Sequence, residues 1–224
     1  MSVDETTRVI RERRTVKPSQ FADREVDQSI VQLILENANW APTHGMTEPW
    51  RFTVYTGAAR GRLAKFLAET YKSLATPAQF KPNKYEGMSK NALLAPVVIA
   101  IGMKRQEVEK ISELDEIQAV ACAVQNMHLT AAAHGLGGFW STNIAAVSDA
   151  MRQFTGLGPK DRAMGLFYIG YPASDWPSKW LTEFCRKSSA LATAAMGSKR
   201  KKARNGRFIA IPFGRSSRSS RHLH

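Results

Sequence analysis

The chain has 224 residues, of which 43% are hydrophobic and 23% charged, and its formal net charge is +13. The proportions are ordinary for a globular protein, whereas so basic a charge, if it belonged to the whole chain, would indicate a nucleic-acid or acidic-membrane partner. Two cysteines, Cys122 and Cys185, are too few for a disulfide-stapled fold and form no CxxC zinc motif. The longest apolar run, residues 92–103, is shorter than the ~20 residues of a membrane span. The N-terminus has no apolar run of the secretory type, so we expect a cytoplasmic protein without a membrane partner.

The first half of the chain alternates helical and extended patterns. Apolar side chains at helical spacing predict two helices, and a loop with Pro42 and Pro49 follows the second. A β-type run then leads into a third helix, and the next stretch is polar with two prolines, which predicts a loop or a broken helix. The predicted bounds are helix 3–13, helix 26–40, strand 51–56, helix 57–74 and loop or broken helix 76–90.

The second half contains the most apolar elements. A continuous apolar run predicts a strand buried on both faces, and Ser112 is the expected N-cap of a long helix that ends at Gly135 in the left-handed conformation. This helix is apolar on most sides and is expected to be the central core helix. The predicted bounds are strand 96–103, helix 112–134, strand 138–142, helix 148–155 (capped by Ser148) and strand 163–170. Without a regular βαβ repeat, the order predicts an α+β fold, a sheet packed by helices.

The excess positive charge lies almost entirely at the C-terminal end. Residues 1–175 contain 20 basic and 18 acidic side chains, a net of +2, and residues 176–224 contain 12 and 1, a net of +11. We therefore predict a near-neutral domain over 1–175 and a basic, disordered or atypical tail over 176–224. Three interpretations of the tail stay open: a nucleic-acid or acidic-lipid tether, a phosphate-binding or dimer-wrapping arm, and a segment that is not a selected sequence, as after a shifted reading frame.

The common catalytic motifs are missing from the sequence. It contains no GxSxG, Walker A or HExxH motif. The glycines at 135, 137 and 138 follow a helix and precede a strand, which is the reverse of the dinucleotide-binding context. His128 and His134 are six positions apart, so they do not share a helix face as metal ligands would. No metal site is expected.

Three segments nevertheless contain side chains that could bind a ligand. Arg13, Arg14, Thr15 and Lys17 lie where a helix gives way to extended chain, and such a cluster either binds a phosphate or forms a solvated basic turn.

The second segment is the proline-stiffened loop 40–50. In that loop, His44 is a candidate for ligand contact, whereas Trp50 leads into an apolar strand and is expected in the core. The third segment begins with the paired glycines at 137 and 138, which let a backbone approach something closely. It continues with Trp140, Ser141 and Thr142, and its alternative interpretation is a tight helix-to-strand turn with a core tryptophan.

Four phrases of the sequence, in this order, resemble the nitroreductase family of flavin enzymes. They are RRTVKPSQF, APTHGMTEPWRF, QNMHLTAAAHGLGGFWST and AMGLFYIGYP, and the resemblance covers residues 1 to about 175. The resemblance implies a mixed, mainly antiparallel sheet packed by helices around a long central core helix. It also implies a homodimer with active sites at the subunit interface, tightly bound FMN, and NAD(P)H as electron donor. The cofactor would supply the chemistry by ping-pong hydride transfer to nitroaromatics, quinones or similar acceptors, so no side chain is assigned a catalytic role.

The resemblance assigns the basic segment to the cofactor. Arg13, Arg14 and Thr15 match phosphate- and ribityl-binding positions, and Lys17 matches a position near the flavin pyrimidine edge. A cation there would stabilise the anionic reduced flavin.

The other two segments match positions on either side of the flavin. Trp140, Ser141 and Thr142 correspond to a strand opposite the substrate. Trp40 and His44 correspond to positions that the partner subunit presents to the flavin pocket, where His44 would also contact the substrate.

The sequence departs from the family pattern in two places. Glu48 stands where the family often has Gln, and either Arg51 accommodates its charge or its side chain points away. The basic phrase that commonly follows the closing G-x-P is not evident, and the nearest basic run is at 199–202. Two alternatives stay open for function: a basic nucleic-acid-binding protein with a vestigial flavin fold, and a sister flavin activity such as dehalogenation or enone reduction.

Overall fold

The computed structural model describes residues 3–176 and contains, within them, six α-helices and four β-strands. The helices are α1 (Val3–Glu12), α2 (Gln28–Ala38), α3 (Ala59–Leu74), α4 (Pro82–Leu94), α5 (Glu113–Ala133) and α6 (Asp149–Phe154). The strands are β1 (Trp50–Tyr55), β2 (Val97–Met103), β3 (Gly137–Ser141) and β4 (Arg162–Gly170). None of these helices has both the length and the apolar character needed to cross a membrane. The prediction of a basic tail over 176–224 lies outside the described residues except for Trp176, and the domain boundary there stays a prediction.

The four strands form one antiparallel sheet in the order β1-β2-β4-β3. Every residue of β2 is buried, as its apolar run predicts, because helices cover both faces of the sheet. One face packs on α2 and α5 through a cluster that includes Ile34, Met127 and Phe167. The other face packs on α3 and α6 through a cluster that includes Leu63 and Met151. The α+β prediction is confirmed, and so is the mainly antiparallel sheet.

Helix α4 corrects the prediction of a loop or broken helix over 76–90 from Pro82 onward, whereas residues 76–81 are not helical. Pro82 is the first residue of the helix, where a missing N–H leaves no hydrogen bond unmade. Beyond it, Ala92 is fully buried, and Tyr85 and Met88 pack against the cluster on the α3 side of the sheet. A proline that seemed to break a helix therefore begins one. The ends of the other elements lie within about two residues of their predicted positions.

Helix α5 begins and ends as its sequence predicts. The Ser112 side chain accepts a hydrogen bond from the Asp115 amide at 3.1 Å, and Gly135 has a φ of +72° just after the helix. The helix buries the side that faces the sheet. Its opposite side is exposed at Leu114, Gln118, Cys122 and Gln125.

Candidate functional site

The basic segment after α1 runs parallel to β3. Thr15 pairs with Gly138, and the Val16 amide donates to the Gly138 carbonyl at 3.1 Å. A Cβ atom on Gly137 would lie 2.5 Å from the Cβ of Val16, so only glycine allows this approach. Gly137 therefore makes room for the chain's own basic segment, and two of the three predicted site segments meet here.

Two adjacent guanidiniums lie half-buried in this segment without an anionic partner among residues 3–176. Arg14 donates from Nη1 to the carbonyls of Arg11 at 2.7 Å and Arg13 at 2.8 Å, at the C-terminal end of α1. Its Nε is buried and has no hydrogen-bond acceptor within the part of the chain that the structure describes. Neither Arg13 nor Arg14 forms an ion pair with a carboxylate of residues 3–176. Burial, and secondarily Arg14, lower the pKa of Arg13.

Such an arrangement has the chemistry of an anion site. Buried cations are normally paired, and an unpaired guanidinium N–H costs free energy until an acceptor arrives. A phosphate group offers several acceptor oxygens and a double charge to two neighbouring guanidiniums. The residues present therefore fit the phosphate of a nucleotide-like cofactor.

Below this segment lies His128 of α5, which is 7% exposed. Its Nε2 is 3.2 Å from the Arg14 carbonyl and 3.5 Å from Nη1 of Arg13. Burial, and secondarily the Arg13 charge, lower the pKa of His128 to about 4. In sequence, His128 appeared only as an unsuitable metal ligand. Its inward position on α5 was the one signal that could have indicated its contacts.

The two other predicted residues of the basic segment are exposed. Thr15 is the residue paired with Gly138, and the Lys17 amide donates to Oε1 of Gln20 at 3.1 Å where a short 3-10 helix begins. No ion pair engages the Lys17 ammonium within the described residues. Both side chains are thus accessible to a ligand held by Arg13 and Arg14.

Trp140, Ser141 and Thr142 lie at the end of β3 and just beyond it. The Trp140 indole is partly buried against the core and donates from Nε1 to the Met164 carbonyl at 3.0 Å. Ser141 accepts at Oγ from Asn143 at 3.1 Å, and Thr142 is exposed. The parallel bridge brings Gly138, near the start of β3, beside Thr15, whereas the Trp140 indole is engaged within the chain.

The loop 40–50 lies at the N-terminal end of α5. His44 Nδ1 is 3.4 Å from Oδ2 of Asp115, and the same carboxylate oxygen accepts from Ser112 Oγ at 2.9 Å. The Ser112 hydrogen bond, followed by that of His44, lowers the pKa of Asp115. Gly45 packs on Ile111, with which a Cβ would make a 3.0 Å contact. Sequence reasoning named His44 and missed Asp115, because nothing local links positions so far apart.

The loop is also strained and exposed. Met46 and Glu48 have φ values of +53° and +42°, which L-residues rarely adopt. Trp40 is 85% exposed, whereas Trp50 is 6% exposed and donates to Asn39 at 2.9 Å, as expected for a core residue. Arg51 donates at 2.9 Å to the Glu48 carbonyl rather than to its carboxylate, and the Glu48 side chain is exposed.

Comparison with known proteins agrees with this architecture. The sequence matches the model of the nitroreductase family over residues 10–171. It is 29% identical over 155 residues to the Escherichia coli K12 protein named "Putative NAD(P)H nitroreductase YdjA", covering 69% of this chain and 82% of that protein. The crystal structure of a nitroreductase-like family protein from Bacillus cereus matches this fold with a TM-score of 0.64, over 82% of this chain and 96% of that one. The two sequences are 25% identical.

A second solved structure carries a flavin. It is described as a "putative nitroreductase in complex with fmn" from Desulfovibrio desulfuricans, is 25% identical, and has a TM-score of 0.57 over 82% of this chain and 96% of that one. The match to the family model spans most of the described residues, including the basic segment, the loop 40–50 and β3. The chain therefore belongs to the nitroreductase family of oxidoreductases.

Proposed function

We propose that this protein is an FMN-dependent NAD(P)H oxidoreductase that reduces nitroaromatics, quinones or similar electron-poor acceptors by ping-pong hydride transfer. Membership of the nitroreductase family supports the reaction class, and the FMN complex of the Desulfovibrio relative supports the cofactor. The name of the Escherichia coli relative supports NAD(P)H as the donor.

One observation in this chain carries the proposal. Arg13 and Arg14 are adjacent, half-buried and unpaired with any carboxylate of residues 3–176, and the buried Nε of Arg14 lacks an acceptor there. A phosphate monoester dianion would satisfy both guanidiniums at once. A solvated basic turn, the alternative interpretation of the sequence, would leave its donors in water rather than buried.

The chain's residues would divide the work of binding. Arg13 and Arg14 hold the phosphate, Thr15 lies next along the chain for the ribityl hydroxyls, and exposed Lys17 provides a cation toward the pyrimidine edge. When bound, FMN supplies the hydride chemistry between NAD(P)H and the acceptor. The protein contributes position and electrostatics.

We further propose a homodimer in which the loop 40–50 of one subunit reaches the flavin pocket of its partner. Trp40 and Met46, on that loop, are 85% and 83% exposed. Apolar side chains so exposed are typical of surfaces covered by another subunit. In this arrangement His44, held by Asp115, would present its other ring nitrogen, Nε2, to the substrate.

FMN titration of the purified full chain tests the proposal. After removal of flavin by dialysis, quenching of FMN fluorescence gives the Kd. Arg13→Ala should weaken binding about 10- to 150-fold, because a charge-assisted hydrogen bond contributes about 1.5–3 kcal/mol. Arg11→Ala removes an exposed arginine at the end of α1, two residues before Arg13, and is the matched control, with an unchanged Kd. A colourless protein that does not take up FMN would overturn the proposed function.

Acceptor profiling separates the sister activities. Enzyme reduced by NADH or NADPH is mixed with a nitroaromatic, a quinone, a halogenated phenol or an enone, and reoxidation is followed by absorbance. Fastest reoxidation by the nitroaromatic or the quinone is expected. Preference for the halogenated phenol or the enone would replace the proposed acceptor class.

A further inference from the structure

A buried histidine contacts the proposed anion site from the side of the core. His128 lies on α5, and its ring makes an edge-on contact with Phe167, with centroids 5.2 Å apart. Gly138 of β3 passes over the ring, and a Cβ there would be 3.0 Å from Nε2. The histidine is thus enclosed by α5, β3, β4 and the basic segment, and among these elements Arg13 is the charged side chain beside it.

We place the ring proton on Nε2, because the shorter of its two polar contacts is to a carbonyl oxygen. A carbonyl oxygen only accepts, so Nε2 must bear a hydrogen to bond the Arg14 carbonyl at 3.2 Å. The Arg13 guanidinium, 3.5 Å from the same nitrogen, is also a donor. The second contact is therefore between two donors and does not neutralise Arg13.

A neutral donor is well suited to this position. A carboxylate in its place would pair with Arg13 and remove the charge that the anion needs. A lysine would add a third cation to a half-buried pair. A neutral imidazole instead satisfies the Arg14 carbonyl and leaves both guanidiniums free of an ion pair.

We propose that His128 is a positioning residue for cofactor binding: its Nε2–H holds the Arg14 carbonyl, and this fixes the Arg13–Lys17 segment against β3 so that both guanidiniums face one phosphate. The proposal rests on the proposed function for the identity of the ligand. Its structural half, the restraint on the segment, does not depend on the ligand.

Two substitutions separate the hydrogen bond from packing. His128→Gln keeps a neutral N–H donor close to the position of Nε2, whereas His128→Leu fills the space and leaves the Arg14 carbonyl unpaired. Val124→Ala, at a buried residue about one turn earlier on α5 that packs in the cluster with α2, is the control for loss of packing. All are measured in the full chain, stripped of flavin and titrated with FMN.

We expect His128→Leu to raise the FMN Kd at least fivefold, in keeping with the cost of an unpaired buried carbonyl. His128→Gln should stay within about twofold of wild type, and Val124→Ala should lower the melting temperature without changing the Kd. Equal weakening by Leu and Gln, or none by Leu, would overturn the positioning role. Failure of the wild-type chain to bind FMN would instead count against the proposed function.

Hydrogen exchange of the Val16 amide supplies a readout without ligand. This N–H bonds the Gly138 carbonyl at 3.1 Å and so reports whether the segment stays on β3. In flavin-free protein, exchange should be faster in His128→Leu than in wild type and unchanged in His128→Gln. Equal protection of Val16 in all variants would refute the restraint, whatever the behaviour toward FMN.

Discussion

Acid should destabilise this protein through His128. Burial, with Arg13 as the secondary cause, lowers the pKa of His128 from 6.5 to about 4 in the folded chain. Between these two values the unfolded chain binds a proton that the folded chain does not. The stability that the neutral imidazole contributes is therefore fully present above pH 6.5 and is lost as the pH falls through about 4.

The size of the effect follows from the two pKa values. Each pKa unit corresponds to about 1.4 kcal/mol, so protonation of this one residue costs about 3 kcal/mol when the pH lies below both values. At pH ~5 the unfolded histidine is almost fully protonated and the folded one almost fully neutral, which gives a loss of about 2 kcal/mol relative to pH ~7.5.

Urea unfolding of the flavin-free full chain, followed by circular dichroism at the two pH values, measures this loss. His128→Gln has no titrating ring at this position but retains every carboxylate of the wild type. The contribution of the carboxylates to the pH dependence of stability therefore cancels when the two proteins are compared. The wild type should lose about 2 kcal/mol more than the variant between the two pH values. A difference below about 0.5 kcal/mol would refute the assignment of a buried, neutral imidazole.

Two further predictions concern backbone positions. Gly137→Ala should lower the free energy of unfolding by about 1–3 kcal/mol, because its Cβ would lie 2.5 Å from the Cβ of Val16. The control is Gly87→Ala within α4, where no atom lies within 4 Å of the new Cβ. It should raise the free energy of unfolding by up to about 1 kcal/mol. Urea unfolding checks both, and a Gly137→Ala chain as stable as wild type would contradict the close approach. Ser148→Ala should cost about 1 kcal/mol, since the Ser148 hydroxyl accepts from the Met151 amide at 3.1 Å; in the same assay, no loss would mean that this cap does not stabilise α6.

Local signals account for much of what the sequence predicted correctly. Two of these signals depend only on residues that are close in the chain: the N-cap at Ser112 and the left-handed Gly135 at the two ends of α5. A third, the apolar run of β2, depends on composition alone. The error over residues 82–90 has a local origin as well, because a proline is compatible with both a loop and the first turn of a helix. Burial of Ala92 against the α3 side of the sheet decides in favour of the helix.

The candidate site was predictable in its parts but not in its assembly. Arg13 and Arg14 were identified by charge and the glycines at 137 and 138 by their permissive backbone, and each segment had an ordinary alternative interpretation. Their meeting depends on a single parallel bridge between Thr15 and Gly138, two residues separated by most of the domain. No periodicity within either segment encodes that pairing.

The same pairing explains why His128 could not be assigned from sequence. Taken alone, a histidine on the inner side of a helix is a core residue with one polar atom to satisfy. The Arg14 carbonyl becomes its acceptor only because the basic segment lies on β3, above α5. Gly137, the histidine and the arginines thus depend on one another: Gly137 admits the segment, the imidazole holds its backbone, and the guanidiniums stay unpaired with any carboxylate of residues 3–176. A substitution at any of these positions should therefore weaken ligand binding more than its distance from the ligand suggests. Hydrogen exchange of the Val16 amide measures that coupling, because this amide reports whether the segment stays on β3.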